Sequence, residues 1–350
     1  MEQETTFYEE LQNHPEIDLR DRRGKRLNLA LVLLGVVIGL LRKRDGVLSS
    51  IHRSMENNQA NLCRALEIDY EKVISRAHLP RILMKVNRVA FESLLFEFFG
   101  ISLNAEQKEW FSGDGKELRG SITKGDKRGE ASVQIVRHKD RAVIGQAFYN
   151  GAKESEKPCL QKLVVKTGVK SQKITADALH LNPTMTETIH SAKGKFIIGL
   201  KDNQKELLSD MIDHTQAFRA KAVHQTIDKG HGRLEIRKYA CFDVSEEYFE
   251  SRWDKSGFSS LIRVKRERIL LKTNESSEDT SYYISNGASK NALEYFHAVR
   301  NHWSVEVINH YRDVSLKEDQ LRTKKSQLQG YWPISEPLYW NCSDVGKLRI

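Results

Sequence analysis

The chain is poor in cysteine and in long apolar runs. Its four cysteines, Cys63, Cys159, Cys241 and Cys342, lie far apart and form no C-x-x-C pair. A disulfide framework and a thiolate zinc site are thereby disfavoured, and a reducing cytoplasm is the expected setting. Met1–Arg20 is acidic and polar and has no signal-peptide pattern. The most apolar stretch, Leu29–Leu41, has 13 residues, fewer than the roughly 20 needed to cross a bilayer. It reads as a buried helix, and no membrane partner is expected.

What the sequence does have is positive charge. Lys and Arg number 56 against 47 Asp and Glu, a net charge of +9. An anionic partner follows, with nucleic acid the leading candidate. At 350 residues the chain can bury a sizeable core and hold one large domain beside a smaller one.

Residues 1–104 read as helical. Leu27–Leu41 is apolar nearly all round, with Gly35 and Gly39 permitting close helix packing, and Arg42-Lys43-Arg44 places cations where the macrodipole favours them. Amphipathic segments follow at Asn58–Leu66, Tyr70–Arg76 and Ile82–Phe99. The run Arg76–Arg81 between the last two is the turn of a helix-turn-helix or an ordinary connection. From Glu109 the pattern turns to strands at Ala131–Arg137 and Arg141–Tyr149, joined by a loop at His138-Lys139-Asp140. A helix at Lys157–Lys166, a strand at Gln172–Ala178, a helix at Thr184–Ala192 and an apolar strand at Lys195–Leu200 come next. Such alternation predicts an α/β fold, a mixed sheet covered on both faces. Residues 224–286 read again as β, and Lys290–Arg312 as one long helix with His302, Glu306 and His310 on one face.

Three acids stand out by context. Asp114 sits between Gly113 and Gly115 after an apolar start, with Lys116 and Arg119 close behind; Asp177 ends a strand; Glu306 lies mid-helix. Carboxylates so placed can bind two divalent cations for phosphoryl transfer, and oxygen donors suit Mg²⁺. Singly, each acid is a weak signal. Lys201-Asp202-Asn203-Gln204, between a strand and a helix, suits either phosphate binding or simple N-capping.

The motifs D-L-R-D-R-R-G-K-R, G-D-G-K-E-L-R-G-S, K-I-T-A-D-A-L-H, I-I-G-L-K-D-N-Q, K-G-H-G-R-L-E-I-R and R-N-H-W-S-V-E-V-I-N-H-Y-R-D-V-S-L-K-E-D-Q-L-R run from about Asp18 to Gln329. Together they resemble the DDE transposases of bacterial insertion sequences, of the ISAs type, also known as H-repeat-associated proteins. The resemblance implies a helical transposase-associated domain at 1–104, a possible DNA-end reader. An RNase H-like catalytic domain at 105–329 would follow, with a β insertion at about 224–286. It implies Asp114, Asp177 and Glu306 as the catalytic and metal-binding triad, holding two Mg²⁺ or Mn²⁺ ions for DNA strand cleavage and transfer. Lys116, Arg119, Lys201, Asn203, Gln204, His231, Arg233, Arg300, His302 and Trp303 match motif positions and become candidate DNA contacts. The implied partners are the terminal inverted repeats, target DNA and a second copy of the chain on paired ends, in a bacterial cytoplasm at the nucleoid. Related families often carry a Tyr, Arg, Glu, Lys signature on the last helix. Here Val299, His302 and Asp313 occupy the Tyr, Arg and Lys positions, with Arg300 and Lys317 as substitutes, and Glu318 and Asp319 are rival third acids.

The tail departs from this pattern. Residues 330–350 carry two prolines and clustered Trp and Tyr where the resemblance implies an amphipathic helix. Reading codons from the third base of each present codon turns Tyr331-Trp332 into Leu, Trp332-Pro333 into Ala, and Tyr339-Trp340-Asn341-Cys342 into Leu-Glu-Leu. A one-base frameshift near Gly330 is the expectation, and with it a decayed copy. Two other readings stand beside an active transposase: a catalytically inactive protein that binds element ends and represses transposition, and a metal-dependent nuclease without strand transfer.

Overall fold

The structure, a computed structural model, describes residues 5–314 apart from 22, 24, 44–47, 101–102, 104–105, 119–121, 123–127, 152–153 and 246–248. The tail at 330–350, Cys342, Lys317, Glu318, Asp319 and Arg119 lie outside the described residues.

Thr6 opens the first helix, α1 (Phe7–Asn13). Its hydroxyl accepts from the Glu9 N–H at 3.2 Å while the Glu9 carboxylate accepts from the Thr6 N–H at 2.7 Å, so two orphan donors are satisfied reciprocally. Helix α2 (Leu29–Lys43) is the apolar run, buried on all sides. Gly35 and Gly39 let it approach α3 (Leu48–Ala65): a Cβ on Gly39 would stand 3.0 Å from the Ile51 side chain. With α4 (Leu79–Leu83) and α5 (Arg88–Phe98), these helices enclose one apolar cluster spanning Phe7 to Leu95.

Residues 70–76 are not helical, contrary to their amphipathic pattern. Side chains of α3 take up the segment's backbone acceptors instead. Gln59 donates to the Glu71 carbonyl at 2.9 Å, and His52 Nε2 lies 2.6 Å from the Ile74 carbonyl. The residues leading directly into the turn at 76–78 are not helical, so the helix-turn-helix reading fails there and the ordinary connection stands.

Among the described residues nine strands form one mixed sheet: β1 (Trp110–Glu117), β2 (Glu130–Arg137), β3 (Val143–Asn150), β4 (Lys173–Ala176), β5 (Lys195–Leu200), β6 (Ala222–Gly230), β7 (Arg233–Asp243), β8 (Ser260–Leu270) and β9 (Ser276–Ser285). Their spatial order is β3-β2-β1-β4-β5-β9-β8-β7-β6. Strands β1, β4 and β5 run parallel and every other pairing is antiparallel. Helices α6 (Glu156–Lys166) and α7 (Pro183–Ser191) make the crossovers into β4 and β5, and α8 (Lys205–Ala217) leads to β6. The α/β class with a helix-flanked mixed sheet matches the expectation.

Alternation along β1 and β2 explains why both faces are covered. Phe111, Val133 and Ile135 enter the main core beside Leu160 and Leu163 of α6. Val136, of opposite parity, packs with Val143, Val305 and Ile308 on the other face. That second cover is α9 (Ala292–Asn301) and α10 (Trp303–Val314). The single helix expected over 290–312 is thus two, parted at His302, where the Val305 N–H bonds the His302 carbonyl three residues back. Among the described residues no helix is long and apolar enough to cross a membrane, and Cys63, Cys159 and Cys241 are free thiols.

Candidate functional site

The site is built where β1 and β4 run side by side. Their last paired residues are Gly113 and Ala176; one step further, on each strand, stand Asp114 and Asp177. Parallel register therefore delivers two carboxylates to neighbouring positions from segments 63 residues apart. Asp177 ends its strand by capping the following 3-10 turn, accepting from the Leu179 N–H at 3.0 Å.

Strand parity divides the surroundings of Asp114. On the α6 face, Gly113 and Gly115 leave room that side chains could not: a Cβ on Gly113 would come within 2.9 Å of Leu160, and one on Gly115 within 2.1 Å of the Glu156 carboxyl carbon. The glycines flanking the acid thus allow the first turn of α6 to reach the strand. On the opposite face, Asn309 donates to Asp114 at 3.2 Å and accepts from Gln134 at 2.7 Å.

Helix α10 lays a stripe along that face. His302 Nδ1 lies 3.0 Å from the Thr175 hydroxyl, Asn309 holds Asp114, and Asp313 pairs with Lys116 at 2.5 Å. Glu306 belongs to the same 3.6-residue stripe, which runs 302, 306, 309, 313 and leaves His310 exposed. Behind it, Thr175 and Ser112 are buried and share His138, whose Nε2 is 3.1 Å and 2.7 Å from their hydroxyls. Burial holds the His138 imidazole down at about 3 and His302 at about 4. Both rings are neutral at pH 7 and serve as uncharged hydrogen-bonding supports.

Charge accumulates on the other side. Burial first, then the Glu156 charge, push the Asp114 carboxyl up to about 7; the Asp177 charge adds to this, while the Gly115 N–H and His180 oppose it. His180, wholly buried, lies 2.9 Å from Glu156 and 3.9 Å from Asp177. Burial also raises the exposed Glu306, with Lys201 pulling it down and Asp177 pushing it up. Asp177 therefore acts electrostatically on Asp114, His302 and Glu306, and Lys201 acts on Glu306. Among the described residues no three His, Cys, Asp or Glu side chains already converge as the ligands of an ion would. The donor chemistry nonetheless fits a hard cation: carboxylate oxygens, in mutual repulsion that a divalent ion would relieve.

Other expected contacts are placed differently. Lys116 is buried in its pair with Asp313. Asn203 and Gln204 donate to the Ala178 and Leu181 carbonyls at 2.6 Å and 3.0 Å, holding the loop behind Asp177; neither Asp202 nor Asn203 caps a helix. Arg300 is exposed, close enough to Arg237 to depress that guanidinium after burial has done so, and Trp303 is 60% exposed. His231 and Arg233 are not brought to the carboxylates. They form the β6–β7 turn, His231 and Gly232 both at positive φ, and β7 lies five strands from β1, roughly 24 Å.

Glu156, His180, Asn309, His138 and Thr175 escaped the sequence reading. Asn309 was legible in the 3.6-residue period, which selects 309 over 310. His180 lay within a recognised motif, three residues after Asp177. Nothing in the sequence marks Glu156.

"H repeat-associated putative transposase YhhI" of Escherichia coli strain K12 is 25% identical over 261 residues, 71% of this chain and 67% of that protein. The chain is thus similar, over most of its length, to a protein named as an H-repeat-associated putative transposase. "Putative transposase YncI" of Escherichia coli O157:H7 is 25% identical over 280 residues, 76% of this chain and 71% of its own length. "Putative protein YbfL" of strain K12 is 26% identical over 261 residues, 71% of this chain and 67% of its own. No protein-family profile matches. The similarity to these proteins, one of them named as H-repeat-associated, agrees with the motif resemblance drawn from the sequence.

Proposed function

We propose that the chain is a DDE-type DNA transposase, cutting and joining DNA at the ends of its own element with Asp114, Asp177 and Glu306 as the catalytic acids. The observation that carries this reading is the Gly113–Ala176 register, which sets Asp114 and Asp177 side by side on adjacent parallel strands. The relatives named as transposases support it. The strand order β3-β2-β1-β4-β5, with β1–β3 antiparallel and β1, β4 and β5 parallel, supports an RNase H-like core. In this reading residues 105–329 are the catalytic domain, β6–β9 its insertion, and 1–104 an associated DNA-end reader.

Asp114, Asp177 and Glu306 would hold two Mg²⁺ or Mn²⁺ ions. When bound, such ions activate the attacking oxygen and stabilise the leaving one. The protein's own contribution is positional. Asn309, fixed by Gln134, orients Asp114; the 3-10 turn orients Asp177; His302, anchored on Thr175, fixes where α10 starts and hence where Glu306 stands. Lys201, exposed beside Glu306, would meet a backbone phosphate, and Arg300 and Trp303 offer exposed contacts on the same helices. The cation-rich chain would bind DNA with steep salt dependence, as a dimer on paired ends at the nucleoid.

The test is incubation with DNA carrying the inverted repeats that flank the gene, with Mg²⁺ or Mn²⁺. Cleavage followed by joining to target DNA is expected. Cleavage without joining would replace the reading with a nuclease, and binding without cleavage with an end-binding repressor.

A further inference from the structure

A cavity of about 930 Å³ opens in the helical region, between the loop that carries the D-L-R-D-R-R-G-K-R motif and the segment around α4. Asp18, Leu19 and Arg20 of this loop are tied down. Asp18 accepts from Arg20 Nε at 2.8 Å and Nη2 at 2.9 Å, Arg20 Nη2 also reaches the Leu27 carbonyl at 2.9 Å, and the Leu19 N–H bonds the Lys85 carbonyl at 2.9 Å. Arg20 is 8% exposed and lines the cavity, yet its Nη1 is buried without a hydrogen-bond partner.

The remaining lining has two characters. Arg23, Arg81 and Lys85 are exposed cations with no carboxylate partner among the described residues, against one acid, Asp21. Leu27, Ile74 and Ile82 supply an apolar wall. An apolar wall under a cationic rim, in a volume suited to a small ligand, matches a nucleotide: a base buried against the aliphatic side chains and phosphates at the rim. A paired base inside a duplex cannot enter such a cavity; an unpaired one can.

We propose that this cavity binds a nucleotide unit of an unpaired DNA strand, such as one frayed at an element end. The proposal rests on the DNA reading above. Its test is binding of the full-length chain to a labelled duplex with a short single-stranded overhang, and to the same duplex with blunt ends, over a range of salt. The variant is Arg81→Ala/Lys85→Ala; both side chains are exposed, so an unchanged thermal unfolding curve is expected to confirm its fold. Wild type should prefer the overhang. The double variant should lose about tenfold in affinity for it, with the salt slope falling by about two, while blunt-duplex binding changes little. Equal binding by variant and wild type would overturn the proposal and leave the DNA reading standing. Equal loss on both duplexes would overturn the unpaired-strand assignment. Failure of the wild type to bind either DNA would remove both this proposal and the reading beneath it.

Discussion

In the half of the sheet formed by β3, β2, β1, β4 and β5, polar side chains are buried and tied across elements: Ser112 and Thr175 to His138, Thr175 to His302, Gln134 to Asn309 and on to Asp114. In the half formed by β9, β8, β7 and β6, Glu235 and Arg237 form a buried ion pair within a single strand, while pairs such as Lys265 with Glu278 at 3.6 Å and Arg266 with Asp279 at 3.1 Å lie toward the surface. Surface pairs of this kind contribute at most about 1 kcal/mol and hold no side chain to a fixed point. A buried network does, because each unmet group inside costs about 1–3 kcal/mol. The difference teaches where positional chemistry can be done in this molecule. It lies at the centre of the sheet, where the scaffold fixes Asp114, and not at the β6–β7 tip.

The largest effect that could break this comparison is electrostatic. In the unfolded chain the Asp114 carboxyl loses its proton near pH 4; in the fold it does so near 7. The folded protein therefore keeps a proton that the unfolded chain releases. Stability should fall as pH rises from about 4 to 7 and then level off. Asp114→Asn, neutral throughout, should be little changed at pH 4 and more stable than wild type at pH 8 by about 2–4 kcal/mol. Urea unfolding with a chelator present measures this, and a difference independent of pH would show that Asp114 is not under that strain.

Next in size is Gly115→Ala. The new Cβ would displace the Glu156 carboxylate, which stands 2.1 Å from where it must go. His180, buried and already lacking a partner at Nδ1, would lose its contact at Nε2 as well. A loss of about 1–3 kcal/mol is expected in denaturant unfolding; no change would mean that Glu156 is not held by His180.

The smallest effect belongs to the distal half. His231→Ala alters an exposed turn residue far from the acids, so DNA cleavage should stay within about twofold of wild type and stability within about 1 kcal/mol. A greater loss of cleavage than Lys201→Ala produces would contradict the division drawn between the two halves.

Much of this architecture was readable beforehand, for identifiable reasons. The strands around Asp114 and Asp177 and the helices between them followed from β-rich runs with partial alternation, whereas the use of Gly113 and Gly115 to admit Leu160 and Glu156 did not. Residues 70–76 misled because their pattern is helical while Gln59 and His52, distant in sequence, claim their carbonyls. The last helix was read as unbroken because its periodicity carries through His302, whose anchor, Thr175, is 127 residues away. Lys116 looked available to a phosphate until α10 brought Asp313 to it. Tertiary partners decided each of these, and local sequence does not record them.

The most direct measurement compares wild type with Asp114→Asn for metal-dependent cutting of DNA that carries the element's ends, with binding followed in the same samples. The account predicts that the wild type cuts in Mg²⁺ or Mn²⁺, and that the variant binds the same DNA equally well and leaves it intact. Cutting by the variant at the wild-type rate would contradict it.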